Sequence, residues 1–73
     1  MRLHVLVVDI YEPTVGFDYP VVRHEFVGKT RQEARGYYDA HLGTCTFFSA
    51  CIRTGDFDGL RCKAVEHWKV VDE

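Results

Sequence analysis

The stretch VVRHEFVGKTRQEARGYYDAHL, Val21 to Leu42, holds a strand, a boundary and a helix in succession. Val21 to Val27 alternates, with polar Arg23 and Glu25 set against Val22 and Phe26, the period of a strand with one buried face. Gly28-Lys29-Thr30 ends it. Thr30-Arg31-Gln32-Glu33 has the spacing of a capping box, in which the Thr hydroxyl accepts from the N–H of Glu33 and the Glu33 carboxylate reaches back to the N–H of Thr30. A helix therefore starts at Arg31. Ala34, Tyr37, Tyr38, His41 and Leu42 recur at helical spacing and form its buried stripe. Gly43 suits the left-handed position just past its end.

Working outward, Thr44 can cap a second, short helix whose Phe47, Phe48, Cys51 and Ile52 face the core, with Gly55 ending it. Upstream, Leu3 to Ile10 is apolar at both parities and too short for a helix, which predicts a central strand. Tyr11 to Pro20 contains both prolines, Gly16 and two acids and reads as a long loop. Its aromatics, Tyr11, Phe17 and Tyr19, either form a recognition surface or tack the loop onto the core. Downstream, Asp56-Phe57-Asp58-Gly59 is a turn, and Leu60 to Val71 alternates as a third strand. Glu66 falls among the apolar positions of that strand, which suggests a bulge or an early end there.

The order strand, strand, helix, helix, strand gives an α+β fold. Two helices pack on one face of a three-stranded sheet, and the other face is open or covered by a second copy. The first strand, being most apolar, should lie between the other two. The direction of the third strand is left open. At 73 residues the chain is a single domain, residues 1–73.

By this parity the open face collects Arg2, His4, Leu6 and Val8 from the first strand and Val21, Arg23, Glu25 and Val27 from the second. The third strand adds Arg61, Lys63, Val65, His67 and Lys69. Arg2, Arg23, Arg61, Lys63 and Lys69 are five of the nine Lys/Arg of a chain whose formal net charge is −2, and Glu25 is the one acid among them. Basic charge gathered on one surface attracts acidic partners or phosphate backbones. No aromatic lies on the face, so base stacking on single-stranded nucleic acid is not supported. Its aliphatic residues suit burial against a protein partner or a second copy.

The patterns that would indicate chemistry are incomplete. Gly28-Lys29-Thr30 ends like a phosphate-binding loop, but the glycine required five residues before Gly28 is Arg23. Asp56, Asp58 and Gly59 match part of a calcium loop, yet its first position is Thr54 and its twelfth is Val65, so two ligands are missing. His4 and His67 share the outer parity and His24 the inner, so the three do not converge on a metal. Cys62 and His24 could pair as nucleophile and base only if their strands were neighbours, and the first strand separates them. No cofactor or metal is expected, and an enzyme is the less favoured class.

Cys45, Cys51 and Cys62 are odd in number and show no two-residue spacing. They read as three free thiols in a cytoplasmic protein, since small secreted domains carry even sets of disulfides. The N-terminal segment lacks a cleavage site and reads as a strand instead of a leader. No run is long enough to span a membrane. The functional expectation is a small binding or regulatory accessory domain acting through protein–protein contact or self-association. The alternative is a nucleic-acid-binding module using the basic sheet face.

Overall fold

The computed structural model describes all 73 residues, Met1–Glu73. The strands are β1 (Arg2–Tyr11), β2 (Val22–Gly28), the short β3 (Asp56–Phe57) and β4 (Leu60–Arg61), and β5 (Lys63–Asp72). The helices are α1 (Arg31–Thr44) and α2 (Thr46–Arg53). Strands β2, β1 and β5 form one sheet in that order, with β3 and β4 a separate two-stranded hairpin. The α+β architecture and the central place of β1 are those expected from the sequence. The direction left open is resolved: β5 runs antiparallel to β1, with Leu3 opposite Val71 and Tyr11 opposite Lys63.

The helices cover the face carrying Leu6, Val8 and Ile10 of β1. These pack with Phe26, Tyr38, Phe48 and Cys51 in a continuous core. Phe48, fully buried, is its hub, with ring centroids 5.0 Å from His24, 5.8 Å from Phe26, 5.5 Å from Tyr38 and 4.8 Å from His41. Edge-to-face contacts of this kind align the positive ring edge with the negative face of the neighbour. Glu66 does face the helices, but β5 is not interrupted there. Arg35 of α1 meets its carboxylate at 3.6 Å, so the acid ties helix to strand.

The strand-to-helix boundary forms as the capping spacing requires. Thr30 is extended, and its hydroxyl accepts from the Glu33 N–H at 3.1 Å. The reciprocal bond differs by one residue, because the Glu33 carboxylate accepts from Lys29 N–H at 3.4 Å. Gly28 is buried where β2 meets the first turn of α1. A Cβ there would lie 2.6 Å from the backbone nitrogen of Ala34, so only glycine allows this approach.

The boundary between helices differs from expectation. α1 continues through Gly43 to Thr44, whose hydroxyl donates to the Ala40 carbonyl at 3.2 Å and so closes the helix it was expected to leave. Cys45 is the extended residue at the junction, and α2 starts with no side-chain cap. Gly55 ends α2 with positive φ, as anticipated.

The turn that follows is a tight hairpin. Asp58 and Gly59 both have positive φ, 53° and 82°, as a two-residue type I′ connection between paired strands requires. The single third strand expected from Leu60 onward is thus broken at Cys62. There the backbone N–H turns to the Gly55 carbonyl at 3.0 Å and the sulfur is bonded to Cys51 of α2. The expectation of three free thiols is overturned. Cys51 and Cys62 form a disulfide with Cα atoms 5.5 Å apart, and Cys45 alone is free. No helix is long and apolar enough to cross a membrane.

Candidate functional site

Residues opposite one another across a ladder share a face of the sheet. The open face is built from three such rows. Val27, Val5 and Lys69 form one, Glu25, Val7 and His67 the next, and Arg23, Asp9 and Val65 the third. Tyr11 and Lys63 extend the face at one end, and Leu3 and Val71 at the other.

This corrects the sequence reading of β1 by one residue. Leu6 and Val8, expected on the open face, are core residues against the helices, and His4 shares their parity. Arg2, also of that parity, lies at the strand end and pairs with Asp72 at 3.4 Å. Arg61 belongs to the β3–β4 hairpin and lies off the sheet. Of the anticipated interaction residues, the sheet brings together Arg23, Lys63, Val65, His67 and Lys69. It adds Val5, Val7, Asp9 and Tyr11 from the other parity of β1.

The consequence is electrostatic. Asp9 stands beside Arg23 on the same face, and the pair is two-pronged: Nε donates to Oδ1 at 2.6 Å and Nη2 to Oδ2 at 3.0 Å. Asp9 is only 4% exposed. Hydrogen bonding from Arg23 holds its carboxyl below the usual carboxylate range, against the opposing effect of burial, with the Arg23 charge and His67 adding to the lowering. Across the neighbouring rows Lys69 reaches over β1 to Glu25 at 3.6 Å. Both partners of that bridge are half exposed, so it contributes little stability. It does roof the centre of the strand, where Val5 and Val7 are buried although no helix covers them. The face therefore carries Arg23, Lys63 and Lys69 against Asp9 and Glu25, and two of the three cations are engaged by those acids. It is a closely balanced surface, not a basic one.

At its rim Val27 and Val65 are each 42% exposed. The loop between β1 and β2 folds Phe17 towards the Tyr11 end, with ring centroids 5.7 Å apart, and Lys63 lies over the Phe17 ring at 5.3 Å. Tyr19 stays exposed. The loop thus brings one aromatic to the edge of a face that the strands alone leave without one beyond Tyr11.

The other constellations weighed in the sequence do not assemble. His24 packs on His41 at 4.6 Å in the core, while His67 is on the opposite face of the sheet. No three potential ligands gather in a metal-binding group. Cys62, bonded to Cys51, has no thiol to serve as a nucleophile. Asp9 is the residue that sequence reasoning missed. Its signal lay across the strands: folding β2 back on β1 sets Arg23 opposite Asp9, and a guanidinium beside that carboxylate puts the odd-numbered residues of β1 on the face of Arg23. Compared with known protein families, with characterised proteins and with solved structures, the chain matches none.

Proposed function

We propose that the domain is a binding or regulatory accessory module working through protein–protein contact, and that its partner on the open sheet face is a second copy of the chain. The observation that carries this is the internal pairing of the face's charge. Arg23 with Asp9 and Lys69 with Glu25 leave a surface of nearly balanced sign around exposed Val27 and Val65. Two such faces do not repel each other, and their apolar rims gain by mutual burial. The same pairing removes the support for nucleic-acid binding, which needs uncompensated cations for phosphates.

Sedimentation over a concentration series in moderate salt tests the reading. A dimer is expected. Val65→Glu, at an exposed position, should keep the fold and split the dimer by placing an unpaired charge in the interface. Leu6→Glu, a core substitution, should unfold the chain. A strict monomer at high micromolar concentration overturns the proposal. If that monomer binds nucleic acid in a salt-sensitive manner lost on Lys63→Glu/Lys69→Glu, the alternative takes its place. A cytoplasmic location was expected from three free thiols. With Cys51 and Cys62 bonded that support is gone, since disulfides persist in oxidising compartments.

A further inference from the structure

The sheet ends on β5, whose outer side has no neighbouring strand. Which of its residues face outward follows from the chain ends. The Glu73 N–H donates to the Met1 carbonyl at 2.7 Å, and the Met1 amino group donates to the Glu73 carbonyl, so the two form a hydrogen-bonded pair. Such pairs alternate with non-bonded ones along an antiparallel ladder, and the register runs unbroken from Arg2 opposite Asp72 to Tyr11 opposite Lys63. The odd-numbered residues of β5 therefore bond to β1. Ala64, Glu66, Trp68, Val70 and Asp72 turn their N–H and C=O groups away from it.

Sheets ordinarily block such an edge with a short strand, a proline, a bulge or free charge. β5 has 10 residues, no proline and no bulge. Its charges are engaged within its own chain. Lys69 leans over β1 to Glu25, Glu66 meets Arg35, Asp72 meets Arg2, and Lys63 lies over the Phe17 ring. Val65 and Val70 are 42% and 49% exposed. An open row of backbone donors and acceptors is satisfied by another strand, and β5 fits itself. A two-fold axis at Trp68 sets Ala64 opposite Asp72, Glu66 opposite Val70 and Trp68 opposite its copy, so every outward residue meets another. Between them Val65 stands opposite Val71 and Lys63 opposite Glu73, at the non-bonded positions where side chains come closest. His67 falls opposite Lys69, whose charge Glu25 holds. Other centres fit worse. Glu66 or Lys69 at the axis sets a charge against itself, and His67 there puts Val65 against Lys69 and Asp72 against Cys62, outside the strand.

We propose that β5 pairs antiparallel with β5 of a second copy about Trp68, joining the two three-stranded sheets into one with all helices on the same side. This contact is at the edge of the sheet, separate from the one proposed for the open face, and it leaves that face free. Hydrogen exchange at single-amide resolution tests it, since a contact through the open face would leave the outward amides bare. At low micromolar concentration the amides of Glu66, Trp68 and Val70 should exchange fast between slow neighbours. At high micromolar concentration they should slow by at least about tenfold. Val70→Pro removes one outward N–H and no bond to β1, so the fold should remain while Glu66 and Trp68 exchange fast at every concentration. Two further variants at this exposed position keep the N–H and read the register. Val70→Glu, opposite Glu66 of the partner subunit, should weaken the pairing, and Val70→Lys should not. Val27→Glu, on the open face of the other edge strand, should leave the protection unchanged. Fast exchange of the outward amides at high concentration, protection that survives Val70→Pro, equal effects of Val70→Glu and Val70→Lys, or protection lost on Val27→Glu would each overturn the proposal.

Discussion

Breaking the Cys51–Cys62 bond should remove most of the stability of this domain. A single-layer core in a chain this short supplies roughly 3–5 kcal/mol. The bond closes a loop with a sequence separation of 11. The loop-entropy relation for a crosslink of that span gives about 2.8 kcal/mol at room temperature, by restricting the unfolded chain. That is comparable with the core's whole margin. For a domain of this size it corresponds to a fall in Tm of roughly 11–22 °C. With a urea slope of about 1 kcal/mol/M, the midpoint should drop by about 2–3 M. The assay is urea unfolding followed by far-UV circular dichroism, with and without a dithiol reductant. Cys51→Ala/Cys62→Ala serves as a second route to the same state. Alanine is chosen because Cys51 is 3% exposed, and a serine hydroxyl there would add a buried polar group. Alkylation under denaturing, non-reducing conditions should modify one cysteine, Cys45, and all three after reduction. Three modified cysteines without reductant, or coincident unfolding curves in the two redox states, would refute the reasoning.

Thr30→Ala should destabilise the domain by about 0.5–2 kcal/mol, read as a lower urea midpoint, because the first helix loses its N-cap. Gly28→Ala should cost about 1–3 kcal/mol by the same measure, since the added methyl meets the backbone of Ala34 and one element must move; an unchanged midpoint would show that the junction is loosely packed. Stability should also fall with acid on account of His24, whose imidazole is held below its ordinary value of 6.5 by burial first and by His41 second. Above pH 6.5 His24 is neutral in both folded and unfolded chains and adds no pH dependence; below it the unfolded chain takes up the proton first, so stability declines until the lower folded-state value is passed. Urea midpoints between pH 7.5 and 5 should trace that decline, and His24→Phe should flatten it; an equal slope in the variant would assign the effect elsewhere.

The order of elements, the Thr30 cap and the one-sided helical layer were all legible because each rests on a local pattern. The Thr30–Glu33 spacing needs only four residues, and Asp58-Gly59 needs only two. The phase of β1 was not legible from β1 alone. Leu3, Val5 and Val7 are as apolar as Leu6, Val8 and Ile10, so hydrophobic alternation gives no preference, and a slip of one residue exchanges the two faces. The answer lay between strands, in the need of Asp9 for the guanidinium of Arg23. The disulfide was illegible for a related reason. Its formation depends on how α2 docks against the chain entering β5, and spacing along the sequence carries no record of that docking. The candidate face inherited both errors. Arg61 was assigned to the sheet because nothing local marks Cys62 as the place where the strand breaks.

The pairing of β1 with β5 also governs when the fold can form. The register joins Leu3 to Val71 and Tyr11 to Lys63, so the most apolar strand gains its second neighbour only from the far end of the sequence. The β1–β2 ladder and α1 can assemble early, but they leave one flank of β1 without hydrogen-bond partners until β5 arrives. Closing so long a loop precedes the contacts that reward it, which slows folding of chains with this topology. During synthesis that flank is an open strand edge beside exposed valines, the kind of surface that pairs with neighbouring chains. The last strand to be made is therefore the one that ends this exposure.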